Sequence, residues 1–524
     1  MNGKQLPEAF VAQMRETLGD EEAERLFEGL DGQPVVSVRR NARKWNGAIE
    51  GEHVPWCSTG YYLDERPLFT ADPLFHAGAY YVQEASSMFV EQIVRQHAAL
   101  TPDTIALDLC AAPGGKSTLL RSLLPEGALL VCNEPMPKRA QILAENMTKW
   151  GDPDVIVTQS LPSAFTAMTD TFDLIVTDVP CSGEGMFRKD EVAIAEWSPA
   201  NVLMCQRRQR EILTDIWPAL RPGGVLIYST CTFNRLEDED NVAWISTTLG
   251  ADILPIAHDS HWHITPGTDN LGCHFYPGLT RGEGFFCAAL RKHGEPTAVD
   301  RQNNSPAPVL QSSPNAVDRQ NNSPAPAPQA KPTAVDRQNN SPAPVLQSSP
   351  NAVDRQNNSE APAPQAKPDA ADRQNNSPAP TPFARIKTKA GDCALRTSHH
   401  PLLRQLQLTT RVILSGVRLG EDTKKGFVPD TALALSTALP NLEQTLLPTI
   451  GQTTLSAPYP RVELSLKEAL AYLHGEALRL APDTPRGHII VTYDSLPLGF
   501  AKNIGSRANN LYPDYWRIRK EIRV

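Results

Sequence analysis

Nowhere in its 524 residues does the chain carry an uninterrupted run of 18 apolar side chains. A helix needs about that many to cross hydrocarbon, so no membrane span is expected. The opening stretch, Met1-Asn2-Gly3-Lys4-Gln5-Leu6-Pro7-Glu8, lacks the apolar core of a secretory signal. Nine cysteines are scattered along the chain and none stands in a Cys-x-x-Cys pair, which argues against both a zinc ribbon and a disulfide framework. A reducing cytoplasm is the expected setting, with no metal and a monomeric chain. Aromatic residues make up only 6% of the sequence, and between Pro296 and Pro382 there are none. That same stretch holds 17 of the 46 prolines. It has too little apolar surface to offset the entropy of ordering, so it is expected to be disordered.

The Pro-rich stretch is an internal repeat. Ala298-Val299-Asp300-Arg301-Gln302-Asn303-Asn304-Ser305 recurs from Ala316, Ala334 and Ala352, a period of 18, and returns altered from Ala370. Its units offer almost nothing apolar to stack, so a flexible spacer is expected rather than a solenoid. The net charge of −9 is unevenly divided: −15 over residues 1–293, −1 over 294–382 and +7 over 383–524. A basic end on an acidic chain points to a polyanionic partner.

The first region alternates strand-like and helix-like segments. Thr104–Leu109, Ala128–Asn133, Phe172–Thr177 and Val225–Ser229 read as buried strands. Ser117–Leu124 and Pro137–Trp150 read as helices, the second closed by Gly151. This rhythm predicts an α/β fold with a mostly parallel, doubly wound sheet. Residues 8–30, with Phe10, Met14, Leu18, Leu26 and Leu30, predict a separate helical start.

Two kinds of ligand compete for the loop after the first strand, Asp108-Leu109-Cys110-Ala111-Ala112-Pro113-Gly114-Gly115-Lys116-Ser117. A phosphate loop needs glycine five positions before Gly115, and Cys110 stands there. The better reading is S-adenosylmethionine, held by small residues that admit close backbone approach. Glu134, 26 residues after Asp108 at the end of the next strand, would take the ribose hydroxyls. Cys181, in Asp178-Val179-Pro180-Cys181, and Cys231, in Ser229-Thr230-Cys231-Thr232-Phe233, both follow predicted strands. Parallel sheets bind ligands at those carboxyl ends.

Together these segments resemble the Sun/Nop family of RNA cytosine-C5 methyltransferases, and most of all its bacterial RsmF-like branch. Arg39-Arg40-Asn41, Tyr81–Ser87 and Gly282-Glu283-Gly284-Phe285-Phe286 add to the likeness, which covers about residues 35–292. The resemblance implies a class I Rossmann-like methyltransferase domain over 96–293. A small N-terminal α/β RNA-binding part would occupy 1–95, the disordered repeats 294–382, and an α+β PUA-like RNA-binding domain 383–524. It implies Cys231 as nucleophile, Cys181 as the cysteine that aids release, and Asp178 at the cytosine edge. The methyl donor would be held by Cys110, Ala111, Ala112, Pro113, Gly114, Gly115, Lys116, Glu134 and Asp178. Small-subunit ribosomal RNA is the implied substrate. Transfer RNA, or a non-catalytic role in RNA binding or ribosome assembly, is the alternative.

The family pattern departs at one point. Leu161 stands where an Asp normally follows the third strand to meet adenine, so no residue is assigned there. Arg39, Asn41, Arg43, Lys44, Arg188 and Lys189 are candidates for phosphate contact. Tyr512, Tyr515 and Trp516, among basic residues, are candidates for stacking on bases.

Overall fold

The computed structural model describes residues 5–294, 382–388, 391–424, 426–446 and 458–519. The repeats fall outside the described residues.

A ten-stranded sheet positions the site. Its middle is built from β1 (Ile105–Asp108), β2 (Leu129–Asn133), β3 (Val155–Thr158), β4 (Phe172–Asp178) and β5 (Leu220–Thr230). These run parallel in the order β3-β2-β1-β4-β5. Side chains alternate between the faces, as a pleated strand requires. Ala106, Leu130, Val157 and Val176 join one core with Val90, Ile93, Leu119 and Leu143. Leu107, Val131, Ile156 and Ile175 join the other with Leu213 and Ile216. Burying a side chain of this size stabilises by about 1.5–3 kcal/mol. Helices α1 (Gly115–Leu123) and α2 (Pro137–Trp150) follow β1 and β2. Helix α2 starts with proline at its first turn and stops at Gly151, which has φ 86°.

Antiparallel strands close both edges. β6 (Phe285–Lys292) pairs with β5. On the far edge β7 (Val412–Ser415), from beyond the repeats, pairs with β3 through Val412–Thr158 and Leu414–Val157. The helix before it, His400–Thr409, sends Leu402, Leu403 and Leu406 into the same core as Val131 and Ile156. A strand whose edge is covered this way no longer offers unpaired backbone groups to other chains.

Two further four-stranded sheets occupy the C-terminal part, over Phe383–Pro429 and Arg461–Asn510. Another, formed by Val36–Arg40, Glu52–His53, Gly60–Leu63 and Tyr80–Val82, follows the N-terminal helices Glu8–Leu18 and Asp20–Asp31. Ala77 and Ala79 pack with Leu470, Tyr472, Leu498 and Tyr512 in one apolar cluster. No helix among the described residues is long and apolar enough to cross a membrane.

Candidate active site

Strand order reverses at β1 and β4, and a crevice opens beyond their carboxyl ends. A cavity of about 200 Å³ lies there. It is lined by Cys110, Ala111, Ala112, Pro113, Gly115, Lys116 and Asp178, and on its other side by Tyr81, Val82, Gln83, Glu84 and Ser87. The β1–α1 loop is held by its neighbours: the Ala111 amide donates to the Asn133 carbonyl (2.8 Å). Arg139 Nη2 donates to Ala112 O (2.8 Å), and Asn146 Nδ2 to Pro113 O (2.7 Å). Gly114 turns the chain into α1 at φ 117°, a conformation that penalises a Cβ. The Ala112–Pro113 peptide is cis.

Two of the expected cofactor residues, Gly114 and Glu134, do not line the cavity. Glu134 is buried, its carboxylate accepting from the Met136 amide (2.9 Å) and lying 3.4 Å from Arg139. Asp108 lies wholly buried behind the loop. Ser117 Oγ donates to one of its oxygens (2.6 Å), and the other has no hydrogen-bond partner among the described residues. Burial pushes this carboxyl up to about 7.

Register in the β4–β5 pair sets Asp178 opposite Ser229. Ser229 Oγ donates to Asp178 Oδ1 (2.9 Å), and Lys116 Nζ lies 2.9 Å from Asp178 Oδ2. Lys116 also sits 5.0 Å from the centre of the Phe285 ring. Burial alone would lower the lysine, but the Asp178 carboxylate more than offsets it and the ammonium is held above its ordinary range. The two loops that follow β4 and β5 bring Cys181 Sγ and Cys231 Sγ to 3.0 Å. The Cys231 amide also donates to Cys181 Sγ (3.3 Å). The hydrogen bond with Cys231, and then burial, push the Cys181 thiol well up, so Cys181 is held as a thiol. A close approach makes this possible: a Cβ on Gly185 would meet the Gly284 carbonyl at 2.7 Å and the Cys231 carbonyl at 3.0 Å.

The residues expected to meet phosphate are mostly structural. Arg39 is fully buried and donates to Gln83 (2.8 Å) and to Thr118, with its guanidinium 4.6 Å from the Trp150 ring. Asn41 donates to the Gly78 and Trp150 carbonyls (3.1 and 3.0 Å), and Lys44 to the Lys149 carbonyl (2.8 Å). Arg43 pairs with Asp152 (2.7 Å). Arg188 and Lys189 both pair with Glu283 (2.8 and 3.4 Å). Helix ends leave carbonyls without partners, and Asn41 and Lys44 satisfy those at the end of α2. The aromatic trio is likewise corrected. Tyr512 and Trp516 are buried in the apolar cluster with Tyr472, and only Tyr515, 60% exposed, faces solvent.

Sequence reasoning missed the 81–87 wall of the cavity and the braces behind the cysteines. Glu84 Oε1 accepts from the Ser86 and Glu283 amides (both 2.8 Å), and Oε2 from the Ser87 amide (2.9 Å). The only advance signal was that Tyr81–Ser87 and Gly282–Phe286 carried part of the family likeness without a role of their own.

Comparison with known proteins agrees with this geometry. Residues 96–291 match the family model for the 16S rRNA methyltransferase RsmB/F. Residues 6–85 match the N-terminal domain of 16S rRNA methyltransferase RsmF, and residues 459–518 the RsmF PUA domain. A ribosomal RNA small subunit methyltransferase F from Aliivibrio salmonicida is 32% identical over 56% of this chain and 66% of its own. The Citrobacter koseri protein of the same name is 34% identical over 55% and 63%. The chain thus spans just under two thirds of the length of these relatives. The crystal structure of PH0851 has the same fold, with a TM-score of 0.50 and 22% identity over 55% of this chain and 66% of that one. Three successive segments, matched in RsmF order around the paired thiols, make the chain similar to the 16S rRNA methyltransferases of the RsmB/F type.

Proposed function

We propose that the protein transfers a methyl group from S-adenosylmethionine to C5 of a cytosine in small-subunit ribosomal RNA. The observation that carries this reading is the pair of thiols 3.0 Å apart in the loops after β4 and β5, with the Lys116–Asp178 ion pair at the end of β4 lining the cavity.

The cavity suits the donor. Its wall at Cys110, Ala111, Ala112, Pro113 and Gly115 is made of small residues and backbone, and the Asp178 carboxylate is an anionic group for a cationic ligand. Cys110 to Lys116 would hold it, with Glu134 behind and Asp178 at the rim. When bound, S-adenosylmethionine supplies an electrophilic methyl carbon on a sulfonium that leaves as a neutral thioether.

The chain's own residues do the rest. Cytosine C5 is a poor nucleophile, and a Cys231 thiolate cures this by bonding to C6, which moves the ring's electron pair to C5. Asp178 accepts from the N4 amino edge, and Lys116, held beside it, opposes the negative charge that develops on the ring. After C5 has been methylated its proton passes to solvent water. The electron pair left behind reforms the C5–C6 double bond and expels Cys231 as thiolate. Cys181, 3.0 Å from the departing sulfur, is placed to assist that release. The base must leave its stack to reach this depth. Residues 1–95 and 383–524 would dock the RNA, the latter with Tyr515 and the exposed Arg461, Arg479, Arg507 and Arg519.

The test is to incubate the full chain with methyl-labelled donor and small-subunit ribosomal RNA, then digest the RNA and identify the labelled nucleoside by mass spectrometry. 5-Methylcytidine is expected. Label in another nucleoside, or in transfer RNA alone, would overturn the assignment.

A further inference from the structure

Behind the two cysteines lies a buried polar knot whose members have no part in the chemistry just described. Glu184 and Glu237 are both fully buried, and no ion pair reaches either of them among the described residues. An isolated buried carboxylate is costly unless hydrogen bonds satisfy it. Here each carboxylate is met by several hydrogen-bond donors. Glu237 accepts from the Ser182 amide (3.0 Å), Gln209 Nε2 (2.6 Å) and Asn234 Nδ2 (2.8 Å). Glu184 accepts from the Phe233 amide (2.7 Å), Trp197 Nε1 (3.0 Å) and Asn234 Nδ2 (3.2 Å).

The two backbone donors are what give the knot meaning. Ser182 is the residue after Cys181, and Phe233 lies two residues after Cys231. Glu237 comes from the chain beyond β5 and grips the loop beyond β4. Glu184 comes from the loop beyond β4 and grips the loop beyond β5. The bracing is therefore crossed, and Asn234 sits between the two carboxylates. The Ser182–Thr232 hydroxyl pair (2.9 Å) and the Gly185 amide on the Cys231 carbonyl (2.9 Å) tie the same loops.

We propose that Glu237 and Glu184 are positioning residues with separate charges: Glu237 sets the place of Cys181, and Glu184 sets the place of Cys231. The inference rests on the thiol roles proposed above. Burial pushes the Glu184 carboxyl up to about 7 and raises Glu237 as well, so both are examined at pH 8, where Glu184 is mostly anionic. A glutamine at either site keeps the volume but turns an amide donor toward donors. Hydrogen bonds to charged groups contribute enough that about a ten-fold effect on the affected step is expected.

The experiment follows covalent protein–RNA complex on denaturing gels, using the full chain and its variants with methyl donor. 5-Fluorocytosine RNA reports addition, and ordinary RNA reports release. Glu184→Gln should slow addition about ten-fold with no build-up on ordinary RNA. Glu237→Gln should leave addition within about two-fold and slow release about ten-fold, so that complex accumulates on ordinary RNA. Glu184→Asp and Glu237→Asp, which keep the acceptors, should recover part of each loss. Equal slowing of both steps by both variants, or no change in either, would overturn the division of labour. Melting temperatures separate either result from unfolding. Cys231→Ala and Cys181→Ala run alongside: complex surviving in Cys231→Ala would instead overturn the thiol reading beneath the proposal.

Discussion

Arg396 ties the C-terminal part to the ten-stranded sheet, and its removal has a cost that can be worked out. Its side chain is 5% exposed, with Nε 2.8 Å and 3.1 Å from the two oxygens of Asp154, itself 2% exposed. The same carboxylate receives His399 Nε2 at 3.3 Å and the Gly127 amide at 3.3 Å. The guanidinium also lies 4.6 Å from the Phe383 ring. The second ion pair, to Glu126, involves a partner 69% exposed and counts for little. Arg396→Met keeps the apolar stem on Phe383 and removes the charge. Breaking a buried pair from one side costs about 3–5 kcal/mol, because the partner is left buried and unmatched. His399 and Gly127 compensate in part, so about 3 kcal/mol is expected for Arg396→Met and a similar loss for Asp154→Asn. The double variant should cost about 2 kcal/mol less than the sum, as coupled neighbours do.

The acid limb of stability should move as well. Burial raises the Asp154 carboxyl, but His399, Arg396 and Arg121 more than offset this and hold it below its usual range. A carboxyl lowered in the folded state stabilises above its ordinary value and loses that contribution as pH falls through the folded one. Without Arg396 the loss should begin at higher pH. Urea unfolding followed by tryptophan fluorescence, across pH, measures both effects. A cost under 1 kcal/mol for Arg396→Met, or full additivity in the double variant, would refute the view that this buried pair holds the two parts together.

Other outcomes follow from the same geometry. Asp108 is raised to about 7 in the folded state, so its contribution is full below the ordinary carboxylate value and lost as pH climbs to about 7. Asp108→Asn should flatten that part of the stability profile relative to the parent, and an unchanged profile would contradict the burial argument. Trp516→Ala should destabilise by about 3–5 kcal/mol, since it empties a core site over which Lys149 Nζ lies at 5.2 Å. Tyr515→Ala should leave stability within about 0.5 kcal/mol, yet weaken RNA binding by about 1–3 kcal/mol if a base stacks there. The reverse ranking in unfolding experiments would mean the burial of these rings is misread.

What the sequence disclosed was local. The helix at Pro137–Trp150 has the bounds its pattern predicts, because periodicity and terminal residues fix it over a few turns. The β1–α1 loop and the two cysteines could be found because each lies in a short segment after a strand. What stayed hidden depends on partners distant in the chain. Nothing in Val412–Ser415 announces that it will pair with a strand some 250 residues earlier. Arg39 and Lys44 look like surface cations until the carbonyls and aromatic ring they serve are in view. Tyr512 and Trp516 have a composition suited to RNA stacking, and only the packing of Tyr472 against Tyr512 identifies them as core. Glu184 and Glu237 carry no signal in the sequence, because the donors that satisfy them come from different loops.

The central claim is that Cys231 bonds to cytosine C6. The measurement that tests it most directly is mass-spectrometric mapping of the peptide cross-linked to 5-fluorocytosine RNA, with the full chain and methyl donor. The expected result is one RNA-modified peptide, attached at Cys231 and absent in Cys231→Ala. Attachment at Cys181, or an undiminished adduct in Cys231→Ala, would contradict it.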